Sequence, residues 1–177
     1  MKFSRQWAMP CEDTFSIRCI GNFVKYYMDG RCVSVDPFSR NKMWATHTND
    51  INPNTAARHH MDAIAYLGML NDQNVVADIV ILDPPYSPRQ ISECYKSIGI
   101  TPSMKDTQTG KFCKHLRDAT IPILKVGGLV LSFGWNSVGM GRNRGFEILE
   151  IMIVCHGGAH NDTICMAEKL TQSQLGI

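Results

Sequence analysis

Apolar residues along the chain fall into short blocks that alternate between helical and strand spacing. Ile20, Phe23, Val24, Tyr27 and Met28 recur at i, i+3, i+4, i+7 and i+8, which predicts an amphipathic helix that Gly30 ends. Cys32 to Val35 and Met43 to Thr48 read as short strands closed by Asp36-Pro37-Phe38 and by Asn49-Asp50. After the break at Asn52-Pro53-Asn54, His59 to Met61 reads as a third short strand, and Asp62 opens a helix through Ile64, Leu67 and Leu70. The run Ala77 to Leu82, interrupted only by Asp78, has the continuous hydrophobicity of a strand covered on both faces. Asp83-Pro84-Pro85-Tyr86 stops it, because proline has no N–H to give to the ladder.

Beyond that run, Ile91 to Ile98 has helical character, and Gly99 to Gly110 reads as a long mobile loop. Phe112 to Leu124 spaces its apolar residues as a helix with Pro122 at a kink or early end, and Gly127-Gly128 leads into a strand from Leu129 to Phe133. A second mobile loop is expected from Gly134 to Gly145. Phe146 to Cys155 and Thr163 to Ala167 read as the last strands, joined by the polar turn HGGAHND. Residues 1–13 show no clear periodicity and read as an irregular lead-in. The alternation of strand and helix predicts a three-layer α/β domain whose carboxyl edge collects the strand-end residues.

Composition narrows the class. With 177 residues, 44% of them hydrophobic and 19% charged, residues 1–177 are expected to form one soluble globular domain with a substantial core. The N-terminus, MKFSRQWAMPCED, has no apolar signal-like core, and no apolar run approaches the roughly 18 residues of a bilayer span. A cytoplasmic protein without a membrane partner is expected. Cys11, Cys19, Cys32, Cys94, Cys113, Cys155 and Cys165 are odd in number and contain no CxxC pair, which points to reduced thiols. A net charge of +2 neither identifies nor excludes a nucleic-acid partner, so local clusters carry that question.

Four acids, Asp36, Asp50, Asp62 and Asp83, each follow a predicted strand, so a parallel sheet would line them along one edge. Any one of them also fits an ordinary turn or helix-cap aspartate. Together they outline a cleft in which carboxylates accept hydrogen bonds from ribose hydroxyls and an adenine amino group. Asp83-Pro84-Pro85-Tyr86 is the more specific pattern. An amino group on an aromatic ring is a poor nucleophile because its lone pair is delocalised. If Asp83 accepts one N–H and the Pro84 carbonyl accepts the other, the nitrogen can pyramidalise and recover that pair. The prolines hold the carbonyl inward, and Tyr86 stacks on the base, at about 1 to 3 kcal/mol per base. The same tetrapeptide also serves as a plain strand-ending turn.

On these residues the chain resembles the S-adenosylmethionine-dependent amino-methyltransferases, in particular the adenine-N6 DNA methyltransferases with their (D/N/S)PP(Y/F/W) motif. The similarity runs from about Thr14 to Lys169. It is closest to small phage-encoded adenine methyltransferases, through FSIRCIGNFVKYYM, VDPFSRNKMWATHTNDINP, HMDAIAYL and DPPYSPRQ. The resemblance implies a Rossmann-like class I methyltransferase fold, with a mostly parallel sheet and a final antiparallel strand. It implies that Phe15 to Ile20, Ile17 included, and Asp36-Pro37-Phe38 line the methionine end of S-adenosylmethionine. Asp50, with Asn49 beside it, would bind the ribose, and Asp62 with Ala63 the adenine. Asp83, Pro84, Pro85 and Tyr86 would be catalytic, S-adenosylhomocysteine the product, and no metal required.

Two departures from the family pattern shape the expectation. Family members carry glycines in DPFxGxG, whereas this chain reads Asp36-Pro37-Phe38-Ser39-Arg40-Asn41. Either Arg40 or Asn41 contacts the methionine carboxylate, or the cofactor binds weakly or in a shifted pose, or the chain is a decayed scaffold that binds cofactor or nucleic acid without turnover. Secondly, no residues remain for a target-recognition domain, so sequence selectivity is expected to be low or supplied by a partner, with the base flipped out or offered in a single strand. Ser87, Arg89, Lys96 and Lys105, in and near the first loop, and Arg142 and Arg144 in the second are the candidate phosphate and substrate contacts; each also fits a solvated surface.

DNA is the expected partner. RNA, through guanine-N2 or adenine-N6, stays open, as do monomer and homodimer, while the aspartate in first position argues against the protein-glutamine acceptors that go with NPPY. His59-His60 would point to opposite faces of a strand, and His156, His160 and Asp162 match no zinc spacing. Pro10-Cys11 is the residue pair that cytosine-C5 methyltransferases use as nucleophile, but it lies outside any strand end.

Overall fold

The computed structural model describes residues 1–11, 13–85, 91–92, 95–96, 99, 109–158 and 160–172. Its strands are β1 (Lys2–Trp7), β2 (Ser34–Asp36), β3 (His47–Thr48), β4 (Ala77–Leu82), β5 (Leu124–Gly134), β6 (Phe146–Cys155) and β7 (Thr163–Leu170). They form one sheet in the order β1-β6-β7-β5-β4-β2-β3. Strand β7 runs antiparallel to both its neighbours, β5 and β6, and the other pairs are parallel. A parallel bridge from Asn49 to His59 extends the sheet beyond β3, at the place where a third short strand was expected.

The helices α1 (Arg18–Met28), α2 (Ala63–Asp72) and α3 (Thr109–Thr120) make the outer layers. Side chains alternate along β4, which is why its run is apolar throughout. Ile79 and Ile81 face the cluster under α1, with Ile20, Phe23, Val24, Leu129 and Leu131. Val80 and Leu82 face the opposite cluster, with Tyr66, Leu67 and Leu70 of α2 and Leu116 of α3. Each such side chain contributes at most about 1.5 to 3 kcal/mol by leaving water. The result is the expected three-layer Rossmann-like α/β arrangement, with a mostly parallel sheet and one antiparallel strand at the end of the chain.

Asp78, the polar residue inside that run, has a structural task. Its carboxylate accepts the backbone N–H groups of Cys32 at 2.9 Å and Val33 at 2.8 Å and pairs with Lys125, tying the entries of β2, β4 and β5 together.

Residues 1–13 depart from the expected irregular lead-in, since Lys2 to Trp7 form an edge strand in parallel register with Glu150 to Cys155. The strand is mostly exposed, so no apolar alternation announces it. It is held by polar contacts. Glu150, buried on β6, accepts Tyr27 Oη–H at 2.9 Å and pairs with Lys2 Nζ at 3.0 Å. Past the strand, the buried His156 ring bridges the Ala8 carbonyl and Thr163 Oγ1, at 2.9 Å each.

The segment 134–145 also differs from a loose loop. The buried Glu168 carboxylate accepts Met140 N–H at 2.6 Å and Gly141 N–H at 3.3 Å, and Arg117 Nη1 donates to the Gly139 carbonyl at 2.9 Å. Gly139 has φ +51°, and a Cβ there would lie 2.2 Å from the Glu168 carboxylate, so glycine is required. Other boundaries shift: β3 is shorter than Met43 to Thr48, β7 runs on past Ala167, and Pro122 falls in a 3-10 turn after α3 ends at Thr120. Of the helix expected from Ile91 to Ile98, Ile91, Ser92, Tyr95 and Lys96 are helical and the rest lie outside the described residues, as does most of the loop expected from Gly99 to Gly110. Among the described residues no helix is long and apolar enough to cross a membrane.

The Lys125 ammonium, followed by the Val33 and Cys32 N–H groups, holds Asp78 down at about 2, against 3.8 for a free aspartate. A depressed carboxylate stabilises the fold above its unfolded pKa, and that contribution fades as pH falls from about 4 to about 2. Asp78→Asn is therefore expected to lower the urea midpoint at neutral pH and to flatten the acid limb of stability against pH.

Candidate active site

The parallel strands end on one edge, and the residues that follow them meet there. Asp36 closes β2 and is buried; its Oδ1 accepts the Phe38 N–H at 2.9 Å, which turns the chain at Pro37. Asn49 follows β3 and is fully buried. Its Nδ2 donates to the Pro37 carbonyl at 3.2 Å and the Met61 carbonyl at 2.9 Å, while its Oδ1 accepts the Met61 N–H at 3.1 Å. Its backbone N–H donates to the Asp36 carbonyl at 2.9 Å, and its own carbonyl accepts the Ser39 N–H at 2.9 Å. Asn49 thus staples three successive turns into one wall.

Asp50 continues that wall. One carboxylate oxygen accepts the Asn52 N–H at 2.8 Å and the other the Arg40 N–H at 3.1 Å, so Asp50 shapes the loop after β2 as well as its own. Arg40, exposed, has φ +50°, a left-handed backbone rarely taken by a side chain other than glycine. It stands at the first glycine position of the DPFxGxG pattern. Asp50, by accepting the Arg40 N–H, holds this left-handed turn without a glycine.

Asp83 follows β4 at the same edge, half-buried like Pro84 and Pro85. Burial pushes the Asp36 carboxyl up to about 8, with the neighbouring Asp83 and Asp50 carboxylates adding to the rise and the Phe38 N–H opposing it. Three acids therefore share one field. Tyr66 of α2 feels Asp36 too, and its buried hydroxyl has no hydrogen-bond partner among the described residues.

The segment ahead of α1 forms the other wall. Phe15 and Ile17 are buried, and the Phe15 ring lies edge-on to Phe133 of β5 at 5.1 Å and stacks on Trp44 at 5.7 Å. Lys42, from the loop after β2, pairs with Asp13 at 3.0 Å and donates to Ser16 Oγ at 3.1 Å. Residues 13–16 are thereby fastened to the loop that Asp36 begins.

Other expected site residues are placed as follows. Asp62 is exposed and caps α2, its Oδ1 accepting Ile64 N–H at 2.9 Å and Ala65 N–H at 3.0 Å, and Ala63 is buried behind it. Arg142 and Arg144 lie next to the start of β6, where Thr171 N–H donates to the Gly145 carbonyl at 2.8 Å, at the edge of the sheet opposite Asp83. Arg144 Nε donates to Asp118 Oδ1 at 2.9 Å. The structure does not bring these two arginines together with Asp83. Tyr86, Ser87, Arg89 and Lys105 lie outside the described residues, and Lys96 is exposed on a helical segment.

Two aromatic residues at the acid-lined edge were not singled out from the sequence. Phe112 of α3 packs edge-on against Phe38 at 6.5 Å, bringing the first turns of α3 to the cleft. Trp135, 44% exposed, directly follows β5, the neighbour of β4, and so flanks the Asp83-Pro84-Pro85 turn. The signal was available: Trp135 follows a predicted strand just as Asp83 does.

The sequence matches no family model and no curated protein. Solved structures do match. SMU.776, a methyltransferase candidate complexed with SAH, has a TM-score of 0.51 and 14% identity over 95% of this chain and 45% of its own. The likeness is one of fold. A candidate SAM-dependent methyltransferase from Streptococcus mutans has a TM-score of 0.43 and 16% identity, covering 71% of this chain and 39% of its own. NSun6 from Pyrococcus horikoshii with SFG has a TM-score of 0.43 and 14% identity, covering 66% and 35%. The chain spans less than half the length of each.

A carboxyl raised in the folded state keeps a proton that the unfolded chain releases above about pH 4. Asp36 therefore makes stability fall as pH rises from about 4 to about 8. Asp36→Asn is expected to remove that slope, so that its urea midpoint gains on the unsubstituted protein from about pH 5 to about pH 8. Asn49→Ala leaves buried donors and acceptors unpaired, and its expected cost is more than about 2 kcal/mol in the same measurement.

Proposed function

We propose that this protein transfers the methyl group of S-adenosylmethionine to an exocyclic amino group, with N6 of adenine in DNA as the acceptor. The observation that carries the reading is the Asp83-Pro84-Pro85 turn at the exit of a buried central strand, beside the Asp36 turn on one side and Trp135 on the other. The fold shared with SMU.776, which was solved with SAH, supports the cofactor class.

The residues suit that cofactor. S-adenosylmethionine supplies a methyl group on a positively charged sulfur, an excellent leaving group for direct displacement. Burial, with the Asp83 and Asp50 carboxylates adding to it, keeps Asp36 protonated in its absence, and a ligand bearing a sulfonium and an ammonium offsets that field and favours the charged form. Asp50 offers its remaining lone pairs to ribose hydroxyls, and the left-handed turn at Arg40 lets the backbone approach the ligand as a glycine turn would. Phe15 and Ile17 close the apolar side and exclude water. Asp83 accepts a hydrogen bond from one amino N–H of the target base and the Pro84 carbonyl from the other, which restores the nucleophilic lone pair; the nitrogen takes the methyl group as the sulfur leaves as a neutral thioether, and then gives up its surplus proton to water. Tyr86 and Trp135 enclose the base. Catalysis by this arrangement is chiefly positioning.

Two outcomes test the reading. Asp83→Ala is expected to abolish transfer of labelled methyl groups to oligonucleotides while leaving S-adenosylmethionine binding by calorimetry intact. Retained transfer would remove Asp83 from its role, and mass spectrometry of nucleosides from DNA and RNA substrates identifies the accepting atom. A cation placed beside Asp36 favours its charged form, so binding near neutral pH is expected to release a proton and to tighten as pH rises toward 8. Calorimetry in two buffers of different ionisation enthalpy reads that release directly.

A further inference from the structure

The face of the sheet that α2 and α3 cover is left open beyond β7. The connection from β5 to β6 contains a 3-10 turn and no helix. Ile151, Ile153 and Cys155 of β6 stay half-buried on this open face, and Phe3, Arg5 and Trp7 of β1 lie in register beside them. Arg5 Nε donates to Cys155 Sγ at 3.2 Å, which fixes the face to which the odd residues of β1 turn. Lys2 and Ser4 turn the other way, toward Glu150. Phe3 is 62% and Trp7 67% exposed.

We propose that Phe3, Arg5 and Trp7 form a stacking platform for single-stranded nucleic acid. Two aromatic rings about 13 Å apart on one strand face, with a guanidinium between them, offer base-stacking surfaces and a phosphate contact together. A duplex hides the faces of its bases, so a flat aromatic platform selects unpaired strands. Charge decides between this partner and a second copy of the chain. On this face β1 carries the Arg5 guanidinium and no acid, which attracts phosphate and opposes edge-to-edge pairing of two copies, while Lys2 on the other face is paired with Glu150. Asp162, the acid that acts on Arg5, accepts the His156 N–H at 3.1 Å.

The platform also points the right way. β1 is parallel to β6, so Trp7 lies at the edge that carries Asp83, about four strand spacings or ~19 Å away across β6, β7 and β5. A strand stacked on β1 therefore leads toward the Asp83 turn. The inference rests on the nucleic-acid part of the proposed function and adds the form of the substrate and a second contact for it.

Fluorescence anisotropy with a labelled thymidine oligonucleotide of about 20 residues, and with a duplex of equal length, tests it without cofactor. The protein is expected to prefer the single strand. Phe3→Ala with Trp7→Ala is expected to weaken that binding at least tenfold at unchanged melting temperature. Arg5→Gln is expected to reduce the slope of log K against log salt by about 0.7. Equal affinity of the double variant and the unsubstituted protein, equal binding of duplex, or no binding at all overturns the platform. So does sedimentation showing a dimer that the double variant dissolves while oligonucleotide affinity stays unchanged, because a second copy would then cover the face. An Asp83→Ala protein that binds the strand but transfers no methyl group separates this inference from the catalytic one.

Discussion

Three carboxyl groups converge on one sheet edge, one of them buried and still protonated near neutral pH, and the turns that carry them have to be held together by something other than the acids. The Asn49 side chain does this from a fully buried position, with both its amide protons and its carbonyl committed to the turns on either side. Its backbone adds the link to Asp36 and to Ser39. With that staple in place, Asp50 can reach back to fix Arg40, and Asp36 can remain in a site where burial alone would expel a charge. Asn49 is thus a positioning residue. Its amide is spent on the protein.

The same logic accounts for the left-handed turn at Arg40. A glycine-rich loop obtains its left-handed turn from the absence of a side chain. Here the backbone reaches that geometry at Arg40 because an acceptor is waiting for its N–H, at a cost of about 1 to 2 kcal/mol of local strain.

What the sequence made legible follows from how each feature is encoded. The α1 stripe, the continuous run of β4 and the aspartates at strand ends are periodic or local signals, and the structure reproduces them as helix, central strand and shared edge. Strand β1 was illegible because Glu150 and His156, roughly 150 residues further along, hold it through polar contacts instead of an apolar face. The segment 134–145 looked loose from its glycines, yet a carboxylate on the last strand organises it. Arg142 and Arg144 looked like neighbours of the cleft because they follow a strand that ends there; the chain crosses to the far edge before it reaches them. Long-range pairing and the path of a connection are properties of the folded sheet, and local composition does not record them.

The sheet order has a consequence for the route by which the fold is reached. β7 sits between β5 and β6, so β6 is joined to the rest of the sheet only through β7, and β1 only through β6. Strand β1 precedes its only described neighbour, β6, by most of the described chain. Pairings of such long sequence separation carry a large loop-closure penalty and form slowly. Until then Phe3 and Trp7 travel on an unpaired segment, and Lys2 and Arg5 on the same six residues give that waiting strand the charge that discourages premature association.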